Sequence, residues 1–212
     1  MHGLIGKAVQ SFLSDTYGAA FWDTIALRSG LTLHLGPHGF EAMEIYDRAL
    51  VDAVMNAASR DLATTCDSLL EDLGTYLISN ARMDPLRRLL RFGGVSFTDF
   101  LHSLDDLQGR TRLAVPELAL PELTIDEAGA GRFILTCHCC SPGFGHVMVG
   151  ILRALADDYG ALVVLEHLGR QARPAAGARR TDAAQDECIA IDLHDPAYHA
   201  GRRFDLAVPE SC

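Results

Sequence analysis

The sequence predicts an α+β fold, with a helical subdomain over residues 1–115 and an α/β subdomain over 116–212 forming one domain. Three observations carry this. Apolar residues recur at helical spacing through the first 115 positions. Short apolar runs bounded by turn residues follow, as expected for a mostly antiparallel sheet. One helix-spaced run lies between the second and third of them.

Taken in order, residues 3–14 put Leu4, Ile5, Ala8, Val9, Phe12 and Leu13 on one helical face. Thr16-Tyr17-Gly18 ends that helix, and a second is expected over about 19–28. Residues 30–45 read as a small hairpin-like excursion turning at Gly-Pro-His-Gly. Helices are expected at 47–58, 61–79 and 84–92, the last with Asp84 as N-cap and Pro85 in its first turn. Ser96 caps a helix to about residue 110, whose apolar face is Phe97, Phe100, Leu101, Leu104 and Leu107. Gln108 lies on that same face, and a polar residue there needs a partner or a purpose. His102 is roughly 120° away, on the solvated side with Asp99 and Asp106.

Strands are expected at 118–125, 133–140, 161–168 and 187–193. Val147, Val149, Ile151, Leu152 and Leu155 mark the intervening helix. Residues 169–186 are Ala/Arg/Gly-rich without periodicity and read as a loop.

Composition narrows the function classes. A net charge of −10 argues against sequence-independent nucleic-acid binding. No run of about 18 apolar residues suggests a membrane span, and the start lacks the pattern of an export signal. Six cysteines without such a signal point to a reducing compartment and a cytoplasmic protein. Templates such as G-x-S-x-G, the P-loop, H-E-x-x-H and G-x-G-x-x-G are missing, so an enzyme is not supported.

One cluster asks for chemistry: Cys137-His138-Cys139-Cys140. Strand alternation puts Leu135, Cys137, Cys139 and Ser141 on one face and Ile134, Thr136, His138 and Cys140 on the other. Cys137 and Cys140 are formally C-x-x-C, but an extended strand does not bring them together, and no second such pair completes a zinc site. Buried, unreactive cysteines are the favoured reading.

Longer strings carry a resemblance. MHGLIGKAVQSFLSDTYGAAFW, YDRALVDAVMNAASRDLATTCDSLLEDLGTYL, FLHSLDDLQGRTRLAVPELALPEL, FILTCHCCSP and VGILRALADDYG are similar to the heme nitric-oxide/oxygen-binding (H-NOX) family. That family supplies the sensor module of soluble guanylate cyclase and of stand-alone bacterial gas sensors. The resemblance implies a heme held between a helical and an α/β half. The family's iron-binding histidine ends the pattern F-L-x-x-L-D-x-L-H, and here Phe100 to Leu107 is followed by Gln108, with Leu104 lining the same pocket. An amide is a poor iron ligand beside imidazole. The family's Tyr-x-Ser-x-Arg clamp for the heme propionates matches Cys139, Ser141 and Gly143, so only the serine is kept. Pro121 matches the proline that presses on the heme plane, and His2 matches a pocket-lining position.

The function implied is a sensor or signalling domain with a non-standard heme (tetrapyrrole) pocket, its iron ligand supplied by His2, Cys137 or Cys139. The alternatives are a heme-free redox or zinc-responsive module in which Cys137, Cys139 or Cys140 meets Cys188, with His138 or His194 contributing, or a repurposed pocket acting as an adaptor. Heme is thus the cofactor the resemblance implies, and zinc the alternative. The implied partner is a separate signalling protein such as a histidine kinase or a diguanylate cyclase.

Overall fold

The computed structural model describes residues 1–35, 39–91, 94–118, 120–138, 140–172 and 185–194. His2 caps α1 (Gly3–Tyr17), its Nδ1 accepting from the Leu4 amide at 3.2 Å. Val9, Phe12 and Leu13 point from α1 into the core. Gly18, at φ 97°, turns the chain into α2 (Ala19–Arg28).

The expected hairpin-like excursion does not form among the described residues of 30–45. A 3-10 turn at Leu31–Leu33 and irregular chain run there, with one isolated bridge from Ile45 to His2. The reason is burial: Leu31, Leu35 and Phe40 face inward and plug the N-terminal core. The Gly36-Pro37-His38 part of the turn lies outside the described residues.

Asp47 caps α3 (Arg48–Asp61), and Thr65 caps α4 (Cys66–Ser79). The helix expected from residue 61 therefore starts at Cys66, because Ala63 takes a left-handed turn at φ 52°. α5 (Asp84–Arg91) follows a 3-10 turn, so Asp84 is its first residue, not its cap; its carboxylate pairs with Arg88 at 3.6 Å. Ser96 and Asp99 form a reciprocal capping box on α6 (Phe97–His102). A 3-10 turn at Ser103–Asp106 separates α6 from α7 (Leu107–Ala114), dividing what reads as one helix.

β1 (Glu122–Gly129), β2 (Arg132–His138), β3 (Val163–Ala172) and β4 (Gln185–Leu193) form one antiparallel sheet in the order β1-β2-β4-β3. α8 (Phe144–Tyr159) joins β2 to β3. The first strand starts at Glu122, four residues later than expected and just past Pro121, which has no N–H to give a ladder. Part of the expected loop is strand: β3 runs to Ala172 and β4 starts at Gln185. Residues 173–184 lie outside the description. The α+β fold is as the sequence predicts.

Two apolar clusters hold the fold together. One joins α1–α4 around Phe12, Ile25, Phe40, Val54 and Leu69. The other joins the end of α4, α5, α6 and α8 to the inner sheet face, through Phe100, Leu104, Leu135, Leu152 and Ile189. Leu77 and Val147 touch both clusters. α4 and α8 meet backbone to backbone at Gly74 and Gly150. A Cβ on Gly74 would overlap the Val147 carbonyl, and one on Gly150 the Glu71 carbonyl.

Candidate functional site

The capped turn at Ser96 sets the rotation of α6, and it aims Phe97, Phe100, Leu101 and Leu104 at the core. Leu104 is 0% exposed. The polar residue on this face has a partner: Gln108 Nε2 donates to the Leu120 carbonyl at 2.8 Å. That bond ties α7 to the half-buried Pro121 and the start of β1. So Gln108 and Leu104 lie with Leu120, next to Pro121, and the Gln108 NH2 group donates to the backbone. His102 stays on the exposed side, with Nε2 3.1 Å from Glu127 Oε1.

β2 buries Phe133, Leu135 and Cys137 and turns Ile134, Thr136 and His138 to the other face, as alternation requires. Cys140 departs from that alternation. β2 ends at His138, and beyond it Cys140 lies in the same core cluster as Cys137. Burial raises the Cys137 thiol pKa far above its usual range, and the neighbouring Cys140 raises it further. Burial, then Glu187, pushes Cys140 up to about 11. Both thiols are held protonated at neutral pH, which makes them poor nucleophiles. All four described cysteines, Cys66, Cys137, Cys140 and Cys188, are free.

The residues considered for zinc do not converge. Cys137 faces the core, while Cys188, paired across the sheet with Thr136, faces the opposite side. His138 is held by Thr124 at 2.9 Å and Asp186 at 3.0 Å. Cys139 lies outside the described residues. Among the described residues no group of three His, Cys, Asp or Glu side chains could hold a metal ion.

The most elaborate polar constellation lies beside this, at the N-terminus of α8. Gly143, at φ 83°, exposes its amide, and Gly145 exposes another. Glu187, only 1% exposed, accepts from Gly143 N at 2.9 Å and from Gly145 N at 2.5 Å. Arg170 Nε is 3.4 Å from Oε1, and His167 Nε2 is 3.6 Å from Oε2. A Cβ on Gly145 would strike both His167 and Glu187, so the carboxylate can enter only because that residue is glycine. The His167 and His146 rings lie 4.0 Å apart. His146 reaches Glu71 at 3.2 Å and Asp67 at 3.7 Å on α4, and Arg153 reaches Glu71 at 2.8 Å. Burial pushes Glu71 up, but hydrogen bonds from Arg153 and His146 outweigh it and leave the carboxyl below its usual range. Burial, then repulsion from His146, holds His167 below the ordinary histidine value.

Sequence reasoning singled out Gly143 and Ser141 here, and read Gly143-Phe144-Gly145 as too short for a phosphate loop, but missed Glu187, His146, His167 and Arg170. One signal was available. Glu187, Ile189 and Ile191 alternate along β4, so a carboxylate stood on a core face just as Gln108 did. Ser141 is exposed and Arg48 Nη2 bonds the neighbouring Pro142 carbonyl at 2.8 Å.

Residues 2–167 match the Haem-NO-binding family. The chain belongs to the H-NOX family. It is 26% identical over 171 residues to soluble guanylate cyclase gcy-31 of Caenorhabditis elegans, covering 79% of this chain. It spans about a quarter (24%) of that protein's length. A Cs H-NOX mutant carrying 4-cyano-L-phenylalanine at site 5 superposes with TM-score 0.73 at 14% identity, covering 94% of this chain and all of that one. An oxygen-binding H-NOX domain related to soluble guanylate cyclases, solved as its oxygen complex, gives 0.63 at 13% identity, over 96% of this chain and all of that one. These neighbours show the fold. Among the described residues no helix is long and apolar enough to cross a membrane.

The residues of this H-NOX chain do not fit heme in the manner the resemblance implies. Gln108 offers a neutral amide in place of an imidazole, its NH2 group donating to Leu120. His2, 6% exposed, spends its Nδ1 lone pair on the Leu4 amide, which leaves the proton on Nε2 and no nitrogen free to bind iron. Cys137 is a buried thiol held protonated. Where the resemblance implies a clamp, Gly143 has no charge, and its amide and that of Gly145 already hold Glu187. An incoming carboxylate would have to compete with Glu187 for the same two amides.

Proposed function

We propose that this chain is an H-NOX-type signalling domain whose resting tertiary state is set by its own side chains and does not depend on an iron–imidazole bond. The observation that supports this most directly is the filling of both anchor positions from within: Gln108 bonds Leu120, and Glu187 bonds the Gly143 and Gly145 amides. In this reading the heme-type pocket is repurposed, and the domain acts on a separate signalling protein through its surface, as a kinase- or cyclase-coupled sensor would. The cysteines contribute packing, since burial holds Cys137 and Cys140 as thiols.

Hemin titration tests the reading. Purified protein is expected to show no Soret band that saturates at one hemin per chain, and Gln108→Ala is expected to leave that result unchanged. Gln108→His supplies an imidazole at the same position and is expected to raise hemin affinity measurably. A stoichiometric Soret band in the unaltered protein that Gln108→Ala abolishes would sink the proposal.

A further inference from the structure

We propose that the amide cradle opening α8 is a carboxylate-binding site which this chain fills from within, using Glu187 as a built-in ligand. This rests on the reading that the resting state is internally set, and it names the group that sets it at α8.

Four features argue that this is a cradle for a carboxylate. The two glutamate oxygens each take a different backbone donor, Gly143 N and Gly145 N, at the positive end of a 16-residue helix. Two side chains that can carry positive charge, Arg170 and His167, approach the same two oxygens from the neighbouring strand β3. Glycine is required at both amides, by left-handed backbone at Gly143 and by close approach at Gly145. Finally, Glu187 arrives from β4, some forty residues further along the chain. It is therefore a tertiary ligand tying the sheet to α8, whereas an ordinary cap comes from the residue next to its helix.

The device has a consequence for signalling. α8 contacts α4 through Gly74 and Gly150, and His146 at its first turn bonds Glu71 of α4. Holding the first turn of α8 against β4 therefore also fixes the contact between the helical and sheet parts. A domain of this kind rests permanently in the anion-filled state.

Chemical rescue tests the proposal. Glu187→Ala removes a group the size of acetate and leaves the amides, Arg170 and His167 in place. Its thermal midpoint is expected to fall below that of the unaltered protein and to rise saturably with added acetate. Chloride at equal ionic strength should not reproduce the rise, and the unaltered protein should not respond to acetate specifically. In ¹⁵N spectra the Gly143 and Gly145 amide resonances should shift on truncation and return with acetate. If Glu187→Ala does not fold, Glu187→Ser is read in the same way. A folded variant with no saturable acetate response beyond chloride overturns the proposal and assigns Glu187 a structural role only. Because the assay contains no heme, its failure is separable from failure of the hemin titration.

Discussion

Gln108 and Glu187 show how one physical rule operates in two elements. Each is a polar residue on an apolar face, and each has found backbone partners: a carbonyl for the amide, two N–H groups for the carboxylate. The rule that buried polar groups must be bonded makes both visible in the sequence, but it does not name the partner. Leu104 carries the corresponding prediction for the apolar side. It is fully buried beside α8 and the sheet. Leu104→Ala is expected to destabilise the domain by about 2–5 kcal/mol in urea titrations. Added hemin should leave the loss in place. Recovery of stability with hemin would mean that a porphyrin fills the space next to this residue.

At the scale of elements, the contact between α4 and α8 is the tightest helix pairing in the fold. Asp67, Glu71 and Gly74 lie along one stripe of α4, so the stripe carries both the ion pairs to α8 and the close backbone approach. Gly150→Ala would push a methyl into the Glu71 carbonyl and force the helices apart. The expected cost is about 1–3 kcal/mol, read as a lower denaturation midpoint with far-UV circular dichroism unchanged. An unaltered midpoint would show that the helices can separate freely. The 3.6-residue pattern located both helices in the sequence, and their close approach was not legible there, because it depends on which glycines face each other. The break of 97–110 into α6, a 3-10 turn and α7 was equally hidden, since the apolar spacing runs through it without interruption.

For the whole molecule, His167 makes stability depend on pH. His167 has a folded pKa below its ordinary value of 6.5, from burial first and His146 second, with Glu187 and Asp67 pulling the other way. At this group the folded state therefore binds fewer protons than the unfolded one in that range, so the His167 contribution to stability falls as pH drops below about 6.5. Glu71 acts in a lower window. Its folded pKa is depressed from 4.5, so its contribution is present above that value and lost as pH falls through the depressed one. His167→Gln is expected to flatten the decline in thermal midpoint between pH 7.5 and 5.5 while leaving the acid limb in place. An identical decline in both proteins would show that His167 is not its source.

Much of this protein is settled locally. Apolar periodicity, the Ser96 capping box and the alternation along β2 and β4 are short-range properties, so the α+β class, most helices and the inward set of β2 follow from the sequence alone. That Gln108 stands as a polar residue on an apolar face was also legible. The partners of Gln108 and of the Gly143 amide were decided by tertiary structure. Glu187 reaches Gly143 only because β4 lies beside β2 in the sheet, and Leu120 meets Gln108 only because the chain folds back before β1. Long-range contacts of this kind depend on strand order and helix rotation together, and no spacing within a single segment encodes them.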